Sequence, residues 1–384
     1  MKKFLLAVLH VVSAIILVAC ASTDENTEPM ELEKFEAKVN LQKEWSRNIG
    51  KGQDERYTLL TPAIVGDNIY ASDIKGTVFA IERKTGDILW KVKLKEPVSS
   101  GVTATTNTLF LGTYNADVIA LDIEDGSIRW KSRVSSEVLS APQSNGEIVA
   151  VQTYDGKITG LDHKAGEQQW LYESAPPTLT LRGDAAPYIN SSTVYAGFAT
   201  GKVVALESSD GLLSWEQRVA IPKGRGEFEK LVDIDAAPLM VGEILFVASY
   251  QGQLLALSRA TGRPLWNKPI STYSNLASAG GKVFVNENDG SIKAFRVGNG
   301  VEVWKNNQLL RRKLTAPEAF DDYVAVADDE DGYLHLLDSD TGTFAARIKV
   351  DGSGVRSPLV SKNDLLYVFS NDGKLVAYSV QDID

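Results

Sequence analysis

The sequence predicts an all-β chain folded as an eight-bladed β-propeller, closed by pairing of its N-terminal strand with its C-terminal blade. Three observations carry this reading. A turn glycine followed four residues later by tryptophan recurs along the chain, alternating apolar strands precede each such turn, and the last repeat lacks one strand that is present at the start. The repeat decides the domain count, because 384 residues read by length alone would be split into two or three domains.

The seven tryptophans are Trp45, Trp90, Trp130, Trp170, Trp215, Trp266 and Trp304. Six of them close the segments "TGDILW", "DGSIRW", "AGEQQW", "DGLLSW", "TGRPLW" and "NGVEVW", at spacings of 38 to 51 residues, the length of a propeller blade. Upstream of the turns stand alternating strands such as "GTVFAIE", "ADVIALD" and "GKVVALE". Before these come further apolar strands, often introduced by a proline such as Pro62, Pro142, Pro187 or Pro238. Short alternating runs between Gly/Asp turns mean antiparallel four-stranded units. Because every Trp holds the same repeat position, seven indoles spaced round a ring cannot converge on one ligand. They are packing residues, each burying ~150–250 Å², or roughly 4–6 kcal/mol of gross burial.

Two blades depart from the pattern. The seventh keeps its turn at Thr341-Gly342 but has Ala346 where Trp is expected, which puts the packing of that blade in question. The eighth has three strands and ends; "LQKEWSRN", Leu41 to Asn48, supplies its outer strand and the missing Trp. Residues 41–384 are therefore one domain.

The first residues are a targeting segment. Lys2 and Lys3 precede the apolar run Phe4 to Val18, so residues 1–19 read as a signal peptide. "LVAC" at Leu17 to Cys20 resembles the lipobox of bacterial lipoproteins, which implies a covalent lipid on Cys20, the sole cysteine of the chain. With Ala21-Ser22 following, the resemblance implies the outer membrane, on its periplasmic side. Residues 20–40 are polar and acidic and read as a flexible tether, with room for a helical turn in "MELEKFEAK".

Composition and motifs narrow the chemistry. The formal charge is −10, and −12 once Lys2 and Lys3 are removed, which argues against nucleic acid as a partner. His163 and His335 stand in different blades without a cysteine partner, so no metal site is expected. "ADDEDGYL" begins with Ala327 where a calcium loop needs its first ligand, and reads as a hairpin turn. No P-loop, dinucleotide fingerprint or G-x-S-x-G elbow is present, so no catalytic residue is assigned. The repeat does resemble the tryptophan-docking repeat of quinoprotein dehydrogenases, which bind pyrroloquinoline quinone and calcium on the propeller axis. The vicinal cysteine pair and long insertions of those enzymes are missing, so no cofactor is expected.

The excess length lies in connections. Trp170 to Trp215 is 45 residues and Trp215 to Trp266 is 51, against a baseline of 40, and the excess falls in the crossings 171–184 and 216–235. Both are crossings from an outer strand to the next inner strand, so both should emerge side by side on one face. In the first, Leu179 and Leu181 are two apart and would point the same way in an extended segment, beside Arg182. They either staple the loop to its blade or form an exposed anchor for a protein partner. Asp233 and Asp235 in the second crossing either flank that surface or hold Arg182.

Lipobox, tether, eight blades and the loop motifs "TLTLRGDAAP" and "LVDIDAAP" together resemble the BamB family, lipoproteins of the outer-membrane β-barrel assembly machinery. The resemblance implies a non-enzymatic scaffold that binds the periplasmic POTRA domains of BamA, and unfolded outer-membrane proteins as a second class of partner. It places the partner-binding surface at Leu179, Leu181, Arg182, Asp233 and Asp235. A quinone-dependent oxidoreductase and a glycan- or peptide-binding lipoprotein are the alternatives.

Overall fold

Eight antiparallel four-stranded sheets follow one another round a ring in the computed structural model, which describes residues 27–53, 58–175, 177, 179–181, 185–223 and 225–383. Blade one runs through Ala63–Val65, Asn68–Ser72, Thr77–Glu82 and Ile88–Lys93, and the next six repeat that order. Blade eight takes Val360–Lys362, Leu365–Phe369 and Lys374–Asp382 from the C-terminus and Val39–Asn48 from the N-terminus. Its register runs from Val39 opposite Asp382 to Asn48 opposite Lys374, so the closing strand starts two residues before Leu41. The expected ring closure is present.

The alternation read in the sequence becomes a core laid between blades. Middle strands such as Thr108–Gly112 are buried on both sides, whereas outer strands such as Ile128–Arg133 alternate between exposed and covered positions. One apolar cluster joins Ile148, Ala150 and Trp170 of blade three to Val194, Val204 and Leu206 of blade four. Antiparallel order also sorts the connections. Each crossing between blades, together with each hairpin joining second and third strands, lies on one face, called here the loop face; the remaining turns lie on the other.

Each tryptophan reaches into the following blade. Its indole N–H donates to a turn carbonyl there: Trp45 to Arg83 at 2.9 Å, Trp130 to His163 at 3.0 Å, Trp170 to Ser208 at 2.9 Å and Trp304 to Ser339 at 2.9 Å. Trp90, Trp215 and Trp266 do the same to Ile123, Arg259 and Val297. The ring lies flat on the turn glycine. At Gly342, with φ of +70°, an added Cβ would stand 2.4 Å from the Trp304 ring. The glycine therefore answers two needs, a left-handed turn and room for the neighbour's indole.

This docking explains Ala346. A tryptophan there would need the hairpin between third and fourth strands of blade eight, and at that place the two chain ends meet. The space beside blade seven is used by the N-terminal segment instead. Residues 28–38, expected to belong to a flexible tether, form neither helix nor strand before the closing strand begins at Val39, and run along this blade. The Met30 N–H donates to the Leu310 carbonyl at 3.0 Å and the Lys38 N–H to the Ala345 carbonyl at 2.8 Å. Phe35 packs on Phe344 with ring centroids 5.2 Å apart. The signal peptide and Cys20 lie outside the described residues.

Candidate functional site

The two long crossings meet on the loop face, as their shared connection type predicts. The lower layer is the segment Leu231 to Ala236, the "LVDIDA" of the sequence. Leu231, Val232, Ile234 and Ala236 are all buried, and the segment is tied to blades four and five by the Ile234 N–H to the Phe198 carbonyl and the Tyr250 N–H to the Asp233 carbonyl. Gly197 leaves room for it, since an added Cβ would stand 2.2 Å from the Ile234 side chain. Alternation places Asp233 and Asp235 between these apolar residues, yet both are buried, Asp233 completely and Asp235 to 9% exposure.

Asp233 is the joint between the crossings. Its Oδ2 accepts the Leu181 backbone N–H at 2.6 Å, across 52 residues of sequence. The carboxylate thus positions the upper loop from below, in place of offering itself to a partner. Leu181 is half-buried over this joint, while Leu179 is 37% exposed. Of the two readings left open, Leu179 fits the exposed anchor and Leu181 the staple. Arg182 lies outside the described residues.

Exposure adds two residues that the reading of sequence did not single out. Ile221 is 62% and Phe228 76% exposed, both on the crossing 216–235. Phe228 opens a single turn of 3-10 helix, Phe228–Lys230, whose first carbonyl accepts the Gln251 side-chain amide at 3.2 Å. An apolar pair inside the longest crossing was the available signal. A cavity of about 40 Å³ beneath the upper loop, lined by Gln152, Thr180 and Thr200 among others, has room for a few waters. Ligand pockets run to hundreds of Å³, so this place suits a surface contact.

Burial pushes the Asp233 carboxyl up to about 6, against the lowering effect of the hydrogen bond from Leu181. A carboxyl raised in the folded state favours folding most when protonated in both states, so its contribution falls as pH rises from about 4 to 6. The Asp233→Asn protein is therefore expected to melt near wild type at pH 4 and to gain on it through this window. At pH 7 the gain should be about 1–3 kcal/mol, read from denaturant titrations across the range. A difference that stays flat with pH would show that Asp233 is not ionised at a cost in the folded protein.

The histidines sit in structural roles. His163 is buried, and its Nδ1 lies 2.9 Å from the Ser144 hydroxyl. His335 is fully buried in blade seven: Arg347 Nε donates to its Nδ1 at 3.0 Å, so the ring proton lies on Nε2 and is donated to Asp328 at 3.0 Å. Burial lowers the His335 pKa and keeps the ring neutral. The Asp328 carboxyl is raised by its own burial, but hydrogen bonds from His335 and the Asp331 N–H, with the Arg312 charge, hold it down at about 2. The acidic stretch that contains Asp328 is the hairpin expected of it, joining Tyr323–Ala327 to Tyr333–Asp338.

The same architecture recurs in known proteins. The structure of BamB from Moraxella catarrhalis superposes with a TM-score of 0.81 and 30% identity, covering 88% of this chain and 100% of that one. A quinohemoprotein alcohol dehydrogenase from Pseudomonas putida superposes at 0.69 but with 14% identity, over 90% of this chain and 77% of its own, a likeness of fold alone. Outer membrane protein assembly factor BamB of Pseudomonas aeruginosa is 52% identical over 369 residues, 96% of this chain and 97% of its own. That of Kangiella koreensis is 45% identical over 352 residues, 91% of this chain and 90% of its own. The family model described as outer membrane protein assembly factor BamB matches residues 74–306 and 288–383, and the chain belongs to that family.

Proposed function

We propose that this protein is a non-enzymatic scaffold of outer-membrane protein assembly, held at the periplasmic side of the outer membrane by a lipid on Cys20. Its partner is the POTRA region of BamA, and the contact is made by the loop face where crossings 171–184 and 216–235 meet. Relatives named as outer membrane protein assembly factors, matched over nearly the full chain, support the process. The observation that carries the site is the Asp233–Leu181 hydrogen bond. It joins two loops longer than the repeat requires into one surface, with Leu179 at its edge. Holding Leu181 in place in advance lowers the conformational cost of docking.

In this scheme Leu179 and Arg182 touch the partner, while Leu181, Asp233 and Asp235 hold the surface. Apolar anchors beside an arginine suit a protein interface. Unfolded outer-membrane proteins are a second class of partner. No cofactor enters the scheme, since the likeness to quinone-dependent enzymes is one of fold. Calorimetric titration of BamA's periplasmic region into the protein tests it. Leu179→Glu and Arg182→Glu are each expected to weaken binding at least about 30-fold, the loss of about 2 kcal/mol that marks an interface hot spot. Wild-type affinity in both variants would move the interface elsewhere.

A further inference from the structure

We propose that residues 28–38 are a strap, clamped along blade seven, that delivers the lipid-bearing N-terminus to the loop face and turns that face toward the membrane surface. The inference rests on the reading of Cys20 as the lipid anchor. It adds an orientation for the propeller, in which the loop face, with the crossings assigned to BamA, is held on the bilayer side.

The strap crosses the full height of the ring. At the loop face, the crossing from blade six to blade seven takes hold of its start. Arg311 Nε donates to the Glu28 carbonyl at 2.6 Å, and an Arg312 guanidinium N–H to the Met30 carbonyl at 3.0 Å. Midway, Arg347 donates to the Glu33 carbonyl at 2.9 Å and lies over the Phe35 ring, 5.0 Å from its centroid. Leu32 and Phe35 pack on the apolar cluster that contains Trp304 and Phe344. At the opposite face, the Lys38 ammonium meets the Thr343 hydroxyl, and the chain turns into the closing strand.

Two of the clamp's arginines are held from behind. Arg312 Nε donates to the buried Asp328 at 3.1 Å, Asp328 accepts from His335, and His335 accepts from Arg347. Two of the three guanidinium groups that grip the strap, those of Arg312 and Arg347, are thus the ends of one buried hydrogen-bonded chain. Buried hydrogen bonds linked in this way strengthen one another and favour one arrangement, and of the groups in the chain Arg347 Nη2 is buried without a partner among the described residues.

Chain geometry turns the clamp into an orientation. Eight residue steps lead from Cys20 to Glu28, and at no more than ~3.6 Å each they span at most about 29 Å in any conformation. The closing strand of ten residues runs back along the strap and measures about 33 Å, so the opposite face lies roughly one such height farther from the anchor. Released from blade seven, the link would lengthen to the 19 residue steps from Cys20 to Val39, reaching about 68 Å, and either face could meet the bilayer.

The test uses the full lipidated chain in vesicles without BamA, so its result does not depend on whether the POTRA contact exists. A fluorophore is placed through Asp372→Cys on the loop face of blade eight, or through Asp364→Cys on the opposite face of the same blade. Quenching by a headgroup-linked quencher is then compared. The expected result is several-fold stronger quenching at position 372, with the ratio falling toward one in Leu32→Ser/Phe35→Ser, a change confined to the strap. Equal quenching at both positions with the strap intact, or a ratio unaffected by the strap variant, would overturn the proposal. Hydrogen exchange in detergent micelles checks the clamp itself. Amides of Met30 and Lys38 should be protected, and exchange at unstructured rates would refute it. Vesicle flotation of Cys20→Ala is expected to fail, and flotation that survives would refute the anchor separately.

Discussion

Removing residues 27–48 is expected to destroy the single cooperative unfolding transition and to leave an aggregating protein. The closing strand supplies the fourth strand of blade eight through nine paired positions. It also makes the contact from blade eight to blade one. Trp45 donates its indole N–H to the Arg83 carbonyl at 2.9 Å, and Arg47 donates to the Gly86 carbonyl at 2.7 Å and to Asp87 at 2.9 Å. Burial of the Trp45 ring alone is roughly 4–6 kcal/mol of gross stabilisation. Deletion also exposes the long edge of Lys374–Asp382, a template for pairing with other chains. Scanning calorimetry and light scattering read the effect: a melting temperature at least about 10 °C lower, with association. A clean transition within a few degrees of wild type would mean that the ring does not depend on its seam.

Trp304→Ala is expected to be the most damaging single substitution among the blade contacts, at about 3–5 kcal/mol. Its indole is buried to 7% exposure, stacks on Phe284 with centroids 5.9 Å apart, and covers Gly342 of blade seven. Blade seven has no tryptophan of its own to share the load, and the strap packs on the same apolar cluster. The cost should therefore include loosening of residues 28–38, visible as faster exchange at the Met30 amide. A matching Trp170→Ala, in blade three across the ring from the strap, should lower stability without that second effect. Equal exchange at Met30 in both variants would separate the strap from the Trp304 cluster.

The fold was legible because one physical event, an indole lying on the next blade's turn glycine, is written seven times at readable spacing. Even the exception at Ala346 follows, since the following blade offers no turn to receive an indole. The position of the candidate site was legible too, from the surplus length of two crossings. The roles inside it were not. Asp233 looks like a surface acid in "LVDID", and only the tertiary packing shows that its alternation with apolar residues turns it inward beneath Leu181. The strap left no local mark: "MELEKFEAK" is polar and suits a tether or a helix. What holds it is a set of backbone carbonyls gripped by Arg311, Arg312 and Arg347, contacts across 282 to 314 residues that no periodicity encodes. The buried Asp328–His335 pair, seven residues apart, was hidden differently: its members look like a hairpin acid and an isolated strand histidine.

The central claim is that the joined crossings form the surface by which this scaffold docks on BamA. Calorimetric titration with BamA's periplasmic region, run side by side on wild type and Leu179→Glu with matched near-ultraviolet circular dichroism, tests it most directly. Saturable binding by wild type, with at least about a 30-fold loss in the folded variant, is the predicted result. Undiminished binding by Leu179→Glu would contradict the assigned surface, and no binding by folded wild type would contradict the scaffold itself.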